Sequence, residues 1–354
     1  MSCHDIRIVA GEAKRELDYL VFARASFGPQ AYQASPNYLR WLYDEAPLSR
    51  GRTRDFHLAV DAGGRVVGCI HVQRMPWRWL GTEIAVAAPQ NTMVLAEHRK
   101  SGAGGLLSAQ AIFGEKHVLV PGTHEAWAGG MRRLGYADLD TCWRASWLRP
   151  VAAGVQLAWK RIRPNSSTSV GWFSDDETKR GQTKGFAWRL WQPREAGEVA
   201  DHAAYANQAW PDDAAFAQWW NPEVMFWRFF HPCGPAHRVL ELRQEGAIAG
   251  FAMVSLGRRH GLAVARVVDW RVQDEQALAV LLSLVRAAAR RAGAHLLLVM
   301  GGESRSNQWL ERSDLSVWSR RPITLMHHRE RGLRGIKHSF MPSAGDYGFE
   351  AIPS

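Results

Sequence analysis

The chain has 354 residues, of which 46% are hydrophobic and 22% are charged, a composition typical of a soluble globular protein. Its formal net charge of +10 favours an anionic partner such as a nucleotide, a phosphorylated carrier or an anionic membrane face, but no Lys/Arg block marks a nucleic-acid arm. The longest apolar stretch is interrupted by Arg286, Arg290, Arg291 and His295, so we expect no transmembrane segment. The N-terminus lacks a signal-peptide core, so we expect a cytoplasmic protein. The four cysteines have no metal-ligand spacing, so we expect no metal site.

The hydrophobic pattern of the first 150 residues predicts an α/β module that begins with two helices. The segment "SPNYLRWLY" at 35–43 lies in the second helix, and a hairpin over 56–73 follows, with a glycine-bearing turn between alternating apolar positions. A strand over 90–96 leads into a glycine-rich loop and a helix over 105–114. After a further strand and helix, we predict one strand over 136–148 that closes the module.

The glycine-rich loop, "EHRKSGAGG" at 97–105, favours an anion. Gly102, Gly104 and Gly105 allow backbone angles that other residues avoid, and they let a ligand approach the main chain. The N–H groups of the loop and of the helix N-terminus attract an anion, and Arg99 and Lys100 add positive charge. The loop has neither the Gly-Lys-Ser/Thr ending of a Walker loop nor the third glycine of a Rossmann fingerprint. The combination of flexible glycines, a helix N-terminus and two cations suits a pyrophosphate.

The second half repeats the order of sequence motifs found in the first. The segment "NPEVMFWRF" at 221–229 matches 35–43, with Pro222 and Trp227 at the positions of Pro36 and Trp41, 186 residues apart (222 − 36). A second hairpin follows, as in the first half. We therefore predict an internal duplication: a module over 1–150, a linker or insertion over 151–185, a second module over 186–330 and a tail over 331–354.

The loop also carries a resemblance to a known family. Residues 99–104 fit R-x-x-G-x-G, the acyl-CoA pyrophosphate loop of the GNAT acyltransferase superfamily, and the chain resembles that superfamily in the preceding hairpin and in the helix end "RRLGY" at 132–136. The segment at 35–43 resembles GNAT-like proteins of bacterial surface-polysaccharide and amino-sugar pathways, and the tandem arrangement resembles those proteins and FemAB-type transferases. The resemblance implies an α/β (α+β) fold of two tandem GNAT-like modules, each with a mixed, mostly antiparallel central sheet flanked by helices.

The resemblance further implies that the cofactor is acetyl-CoA or another acyl-CoA. The residues that would bind it are Met93, Val94, Leu95, Arg99, Lys100, Ser101, Gly102, Ala103, Gly104 and Gly105, with 93–95 using their backbone as a splayed GNAT strand does. An amine acceptor must be neutral to attack, so a base is useful, and the candidates are Glu83, Glu97 and His98. The position where many GNAT enzymes carry a general-acid tyrosine is Met131.

The second module departs from this pattern. At the equivalent point it reads "VVDWRVQDEQALAVLL" over 267–282, without glycine and with Asp269, Asp274 and Glu275, which would repel a pyrophosphate. We therefore expect one active site. The resemblance implies that it transfers an acyl group, acetyl in the first instance, to an amino group of a small metabolite, an amino sugar or a nucleotide sugar in surface-polysaccharide biosynthesis. Two alternatives stay open: a FemAB-like transferase that uses aminoacyl-tRNA, and a non-catalytic protein that binds CoA or a partner.

Overall fold

The computed structural model describes residues 6–48, 54, 56–123, 125–139, 141–162, 178–208, 216–259, 261–302, 304–319, 323–328, 338–339, 341 and 343. The helices and strands of the first half are, in chain order, β1 (Arg7–Ala10), α1 (Glu16–Phe27), α2 (Pro36–Leu39), β2 (Phe56–Val60), β3 (Val66–Trp79), β4 (Thr82–Val94), α3 (Ala103–Phe113), β5 (His117–Thr123), α4 (Glu125–Arg133), β6 (Ala137–Leu139), β7 (Cys142–Trp147) and α5 (Pro150–Ile162). Those of the second half are β8 (Lys179–Thr183), β9 (Phe186–Trp191), α6 (Ala200–Gln208), β10 (Phe216–Gln218), α7 (Pro222–Phe230), β11 (His237–Gln244), β12 (Ala247–Arg259), β13 (Leu262–Val272), α8 (Glu275–Arg291), β14 (Leu296–Gly301), α9 (Ser304–Arg312), β15 (Ser316–Ser319), β16 (Ile323–His328) and β17 (His338–Ser339).

Two mixed sheets form the centre of the molecule. The first has the strand order β1-β2-β3-β4-β5-β16-β6, with β10 paired to β3 and β17 paired to β10. The second has the order β8-β9-β11-β12-β13-β14-β7-β15. Most neighbouring strands are antiparallel. Each sheet has a parallel pair at its centre, β4–β5 or β13–β14, and the short strands β10 and β17 also pair in parallel. The predicted fold class of two α/β modules with mixed, mostly antiparallel sheets is confirmed.

The two sheets exchange a strand. β7 lies in the second sheet between β14 and β15, and β16 lies in the first sheet between β5 and β6. The prediction of one strand over 136–148 is therefore wrong, because β6 and β7 belong to different sheets. Both segments have strand-like sequences, and periodicity alone does not reveal a change of sheet.

Strands of each half complete the sheet of the other, so the two sheets do not divide cleanly at residue 150. The predicted module boundary at that residue stays a prediction. Part of the stretch predicted as a linker forms α5 and β8. Most of the predicted tail lies outside the described residues, but Met341 and Ser343 within it are fully buried.

One continuous core joins the facing sides of the two sheets. It contains Leu58 and Met75 from the first sheet together with Val264 and Leu298 from the second. The outer face of each sheet is covered by the helix that follows its central strand: α3 packs on the first sheet and α8 on the second. Within the described part of the chain, no helix is long and apolar enough to cross a membrane.

The matching segments of the two halves begin their helices in the same way. Ser35 accepts a hydrogen bond from the backbone N–H of Asn37 at the start of α2, and Asn221 accepts one from Val224 at the start of α7. Pro36 and Pro222 occupy the first helical turn, where a missing N–H leaves no bond unmade. The predicted correspondence between these segments therefore extends to their local structure.

Candidate functional site

The glycine loop lies at an uncapped helix N-terminus. Gly102 has a left-handed φ of 81° and precedes α3 with no side-chain cap. The Ser101 hydroxyl donates to the His98 carbonyl (2.7 Å) and accepts from the Ala103 N–H (3.3 Å). The remaining N–H groups of the first turn have no acceptor within the helix, so they can bind a ligand.

The two glycines in the first turn of α3 leave this N-terminus open. A Cβ added to Gly104 would meet only the Val94 Cγ2 atom, at 3.7 Å, and one added to Gly105 would meet nothing within 4 Å. Arg99 and Lys100 are exposed beside them, and neither forms an ion pair with a described residue. The result is an open stretch of main chain beside two cations, which suits a pyrophosphate.

Next to this loop, β4 has an open edge. β4 and β5 pair in parallel only at Ala87 and Val118, so the last residues of β4 have no partner on the β5 side. On the other side, the Leu95 N–H donates to the Val67 carbonyl at 2.9 Å. Because bonding directions alternate along an antiparallel strand, the N–H and C=O of Val94 face the open edge, whereas those of Leu95 and Met93 face β3. Of the three residues predicted to bind by backbone bonds, Val94 is therefore the one that is free to do so.

A bulge in β4 precedes the open edge. Cys69 pairs with Met93 and His71 with Gln90, so Asn91 and Thr92 together oppose a single residue of β3. Asn91 has a left-handed φ of 52°, which is uncommon for a residue other than glycine.

The side chain of Asn91 is fixed from three directions. Its Oδ1 accepts from the Tyr32 hydroxyl and from Gln33 Nε2, both at 3.0 Å, and its Nδ2 donates to the Tyr38 hydroxyl at 3.1 Å. These bonds connect the segment before α2 to the bulge. They hold the strand in an unusual conformation at the point where it leaves β5.

A buried histidine lies behind the bulge. The Tyr19 hydroxyl donates to the Gln33 carbonyl (2.8 Å), so it accepts from His71 Nε2–H (2.9 Å), and His71 Nδ1 in turn accepts from the Tyr43 hydroxyl (2.8 Å). Burial lowers the pKa of His71 to about 3. The imidazole is thus neutral at pH 7 and a weak base, and it positions α1 and α2 against β3.

The second half has a bulge at a neighbouring position, between the pairs Met253–Asp269 and Val254–Val267, and different side chains surround it. Gly68 pairs with Val94 and Gly250 with Val272, so Asn91, three residues before Val94, corresponds to Asp269. Asp269 Oδ1 accepts from Arg271 Nη1 at 2.6 Å, and Oδ2 accepts from the Ser343 hydroxyl at 2.9 Å. A buried ion pair and a residue of the C-terminal segment thus occupy the place of the neutral amide network.

The helix after the second bulge is also closed to an anion. Asp274 caps α8 by accepting from the Ala277 N–H at 2.8 Å, and Glu275 adds a carboxylate to the first turn. Whereas the N-terminus of α3 is open and cationic, that of α8 is occupied by its own carboxylate.

The structure brings two of the three predicted bases near the loop. Glu97 is exposed and pairs with Arg65 (3.6 Å), and His98 is buried with no described partner at Nδ1. Glu83, however, is exposed at the start of β4, ten residues from Met93 (93 − 83), or about 33 Å along the strand. The structure therefore does not bring Glu83 together with the loop.

Two further residues of interest lie in α4 and just after it. Met131 is buried under the first sheet, as is Tyr136, and burial raises the pKa of Tyr136 to about 12. Sequence reasoning did not identify the network around His71 and Asn91. The one indication was an asparagine inside a predicted strand, since asparagine is rare in strands and tolerates left-handed angles.

Comparisons with known proteins identify the fold. No family model and no curated protein matches the chain. Among solved structures, the Saccharomyces cerevisiae N-myristoyltransferase with bound myristoyl-CoA matches with a TM-score of 0.57 at 12% identity, over 92% of this chain and 83% of that chain. GCN5-related N-acetyltransferases match from Kribbella flavida (TM-score 0.54, 16% identity, 91% of this chain and 70% of that chain) and from Anabaena variabilis (0.53, 11%, 91% and 72%).

At such identities, the likeness establishes the fold. Both sheets share one plan: a run of antiparallel strands, a central parallel pair that a helix connects, and an inserted strand before the last one. The chain therefore has the GCN5-related N-acetyltransferase (GNAT) fold, built twice along its length.

Proposed function

We propose that the protein is an acyl-CoA-dependent N-acyltransferase with one active site, in its first half. The observation that carries this proposal is the contrast between the two halves. α3 begins at an open, glycine-lined N-terminus beside exposed cations, and α8 begins at a carboxylate cap. An acyl-CoA pyrophosphate fits the former and is repelled by the latter.

Each part of the donor has a matching feature. The pyrophosphate would bind the first-turn N–H groups at Gly104 and Gly105, with Arg99 and Lys100 at its rim. The amide groups of the pantetheine arm would bond to the outward-facing backbone of Val94. These assignments place the acyl thioester beside the bulge at Asn91, where β4 and β5 separate.

The reaction would be a direct transfer. The neutral amine of the acceptor attacks the thioester carbonyl carbon, a C–N bond forms, the C–S bond breaks, and the thiolate leaves and takes a proton. Glu97 and His98 remain the proposed bases; since they lie at the loop and the thioester lies beside Asn91, they would act through water. His71 is excluded from this role by its low pKa. With Met131 at the usual tyrosine position, we infer that solvent protonates the thiolate.

The finer assignments are also proposals. The resemblance of the segment at 35–43 supports an acetyl donor, an amino-sugar or nucleotide-sugar acceptor and a role in surface-polysaccharide biosynthesis, and the net charge of +10 favours a phosphorylated acceptor. An N-terminus without a signal-peptide core supports a cytoplasmic location. A FemAB-like use of aminoacyl-tRNA and a non-catalytic, CoA-binding role are the alternatives.

Isothermal calorimetry with CoA, acetyl-CoA and tRNA tests the proposal, together with thiol release in the presence of candidate amines. We expect one CoA site per chain and thiol release that requires an amine. Two equivalent sites, or none, would contradict the one-site proposal. CoA binding without thiol release for any amine would favour the non-catalytic role, and binding of tRNA alone would favour the FemAB-like one.

A further inference from the structure

Two glutamine side chains lie buried next to each other on the inner face of the first sheet, which is the face turned toward the second sheet. Gln73 on β3 is 0% exposed and Gln90 on β4 is 6% exposed. Gln73 pairs with Ala88, two residues before Gln90, so the two glutamines are diagonal neighbours on adjacent strands. Because side chains alternate along a strand, they share their face with Met75 and Val86, which belong to the core between the sheets.

The amide groups of these glutamines have no partner within the described chain. The side-chain nitrogen and oxygen atoms of both Gln73 and Gln90 lack a hydrogen bond to any described residue. His71, which pairs with Gln90, cannot supply one, because its two ring nitrogens are bonded to the hydroxyls of Tyr19 and Tyr43. An alanine lies opposite Gln73. Since buried polar groups nearly always have partners, four such atoms in one place indicate a site for a polar ligand.

The second half shows that the fold does not need a glutamine at the place of Gln90. Gln90 lies four residues before Val94 (94 − 90), and Val268 lies four residues before Val272 (272 − 268), the counterpart of Val94. Val268 is fully buried in the core between the two sheets. An apolar residue serves the fold there, so the amide of Gln90 is available for binding.

The two amides lie where the body of an acceptor would extend from the thioester. This placement rests on the proposed function, which puts the acyl thioester beside Asn91. Asn91 is half-buried and Thr92 is exposed, so the start of the site borders on solvent. Gln90 adjoins Asn91, and Gln73 lies two residues further along the strands, or about 7 Å deeper. A ring that carries the attacking amine would therefore reach both amides.

The chemistry of the site favours neutral groups that both donate and accept hydrogen bonds. A carboxamide donates through its nitrogen and accepts through its oxygen, and a hydroxyl group complements both. A phosphate or carboxylate at this place would be buried against uncharged amides, which is unfavourable. We propose that Gln73 and Gln90 bind hydroxyl groups of the acceptor, and that the acceptor carries its amine on a polyhydroxylated ring.

The test uses the full chain and two ring amines as probes: D-glucosamine, which has hydroxyl groups, and cyclohexylamine, which has none. Gln73→Met/Gln90→Met replaces both amides by apolar side chains of similar length. Gln218→Met is the matched control, since Gln218 is also buried (4%) but lies opposite Trp77. Trp77 pairs with Ile84, which is six residues (90 − 84), or about 20 Å, from Gln90 along β4.

Binding is measured by calorimetry without any acyl donor, and stability by the melting temperature. We expect the unaltered protein to bind glucosamine more tightly than cyclohexylamine. The double variant should lose at least tenfold in glucosamine affinity and keep its cyclohexylamine affinity, and the control should bind both as the unaltered protein does. Each amine is compared with itself across the variants, so the different protonation of the two amines cancels. The melting temperature of the double variant should not fall, because methionine removes polar groups that lack a partner in the described chain.

Thiol release from acetyl-CoA separates this proposal from the proposed catalysis. If glucosamine binding depends on the two glutamines but no amine releases thiol, the acceptor site is supported and the proposed transfer fails. If glucosamine releases thiol and the double variant has an unchanged KM for it, the proposed transfer is supported and the acceptor site is wrong.

Two further results would overturn the proposal. The first is equal affinity of the unaltered protein for the two amines, or no binding of glucosamine. The second is a lower melting temperature of the double variant with unchanged glucosamine affinity, which would assign the two amides to ordered water only.

Discussion

Trp41 and Trp227 stack with ring centroids 5.2 Å apart, and each donates its indole N–H to the carbonyl oxygen of the other, at 2.8 and 2.7 Å. Each residue makes to its partner the contact that the partner makes to it, which is the mark of an approximate twofold axis. Their separation in the chain, 186 residues, is the spacing of the repeated segments. The axis that relates the two halves therefore passes between these two rings.

Removing either indole N–H should destabilise the whole protein. We expect Trp41→Phe and Trp227→Phe each to lower the free energy of unfolding by about 1–3 kcal/mol, because each leaves a buried carbonyl without its donor. The two values should be similar, and the double variant should lose less than their sum, since the residues are in contact. Urea unfolding measures all three, and Trp159→Phe, at an exposed position, is the control. A negligible effect at one residue and a large one at the other would contradict the reciprocal arrangement.

Gly104→Ala separates ligand binding from stability. Alanine in place of a helical glycine should stabilise the fold by about 0.5–1 kcal/mol, and the added Cβ meets only Val94 at ordinary contact distance. The methyl group would nevertheless obstruct the pyrophosphate, so we expect CoA affinity to fall at least tenfold by calorimetry while the melting temperature does not fall. Gly114→Ala, at the other end of α3 and with nothing within 4 Å of an added Cβ, should leave CoA affinity unchanged. Normal CoA binding by Gly104→Ala would remove the loop from the site.

The bulge offers a pair of substitutions at one position. Asn91→Ala loses the amide network and places alanine at a left-handed φ, whereas Asn91→Gly loses the same network without the steric strain. We expect the alanine variant to be less stable than the glycine variant by about 1 kcal/mol in urea unfolding. If Asn91 positions the acyl group, both variants should reduce kcat for transfer more than they raise KM for the donor. Equal stabilities would show that the left-handed conformation relaxes when the amide is removed.

The buried histidines should make the fold sensitive to mild acid. Burial lowers the pKa of His71 to about 3, and burial and Arg228 lower that of His237 to about 3. An unfolded histidine titrates near 6.5, so between pH 3 and 6.5 the unfolded chain binds more protons and stability falls as the pH falls. The expected slope is up to about 1.4 kcal/mol per pH unit for each histidine, from urea unfolding between pH 7 and pH 5.

Between pH 7 and pH 5, the effect of the histidines can be measured apart from that of the carboxylates. Burial tends to raise the pKa of Glu241, but hydrogen bonds from His202 and Arg243 outweigh it and lower that pKa from 4.5 to about 2. The stability that Glu241 contributes is therefore lost as the pH falls from 4.5 to about 2, below the interval tested. His71→Gln should reduce the slope between pH 7 and pH 5. A free energy of unfolding that is constant over this range would show that water reaches both rings.

Sequence reasoning identified the features that are local. The segments with Pro36 and Pro222, the two hairpins, and the glycine loop between a strand and a helix all depend on neighbouring residues, and all are present. The exchange of β7 and β16 could not be predicted, because pairing between Val118 and His327 joins residues far apart in the chain and leaves no local pattern. The Asn91 network was missed for a related reason: it collects side chains from three separate segments, the one before α2, α2 itself and β4.

The exchanged strands have a consequence for synthesis on the ribosome. β16 separates β5 from β6, so the first sheet has a gap at its edge until residues 323–328 have left the exit tunnel. In the same interval β7 has no sheet to join, because β14 and β15 come after residue 295. The N-terminal half therefore cannot complete its fold before the C-terminal half is made. Newly made chains should be open to proteases and to aggregation over most of translation, and should close both sheets together at the end.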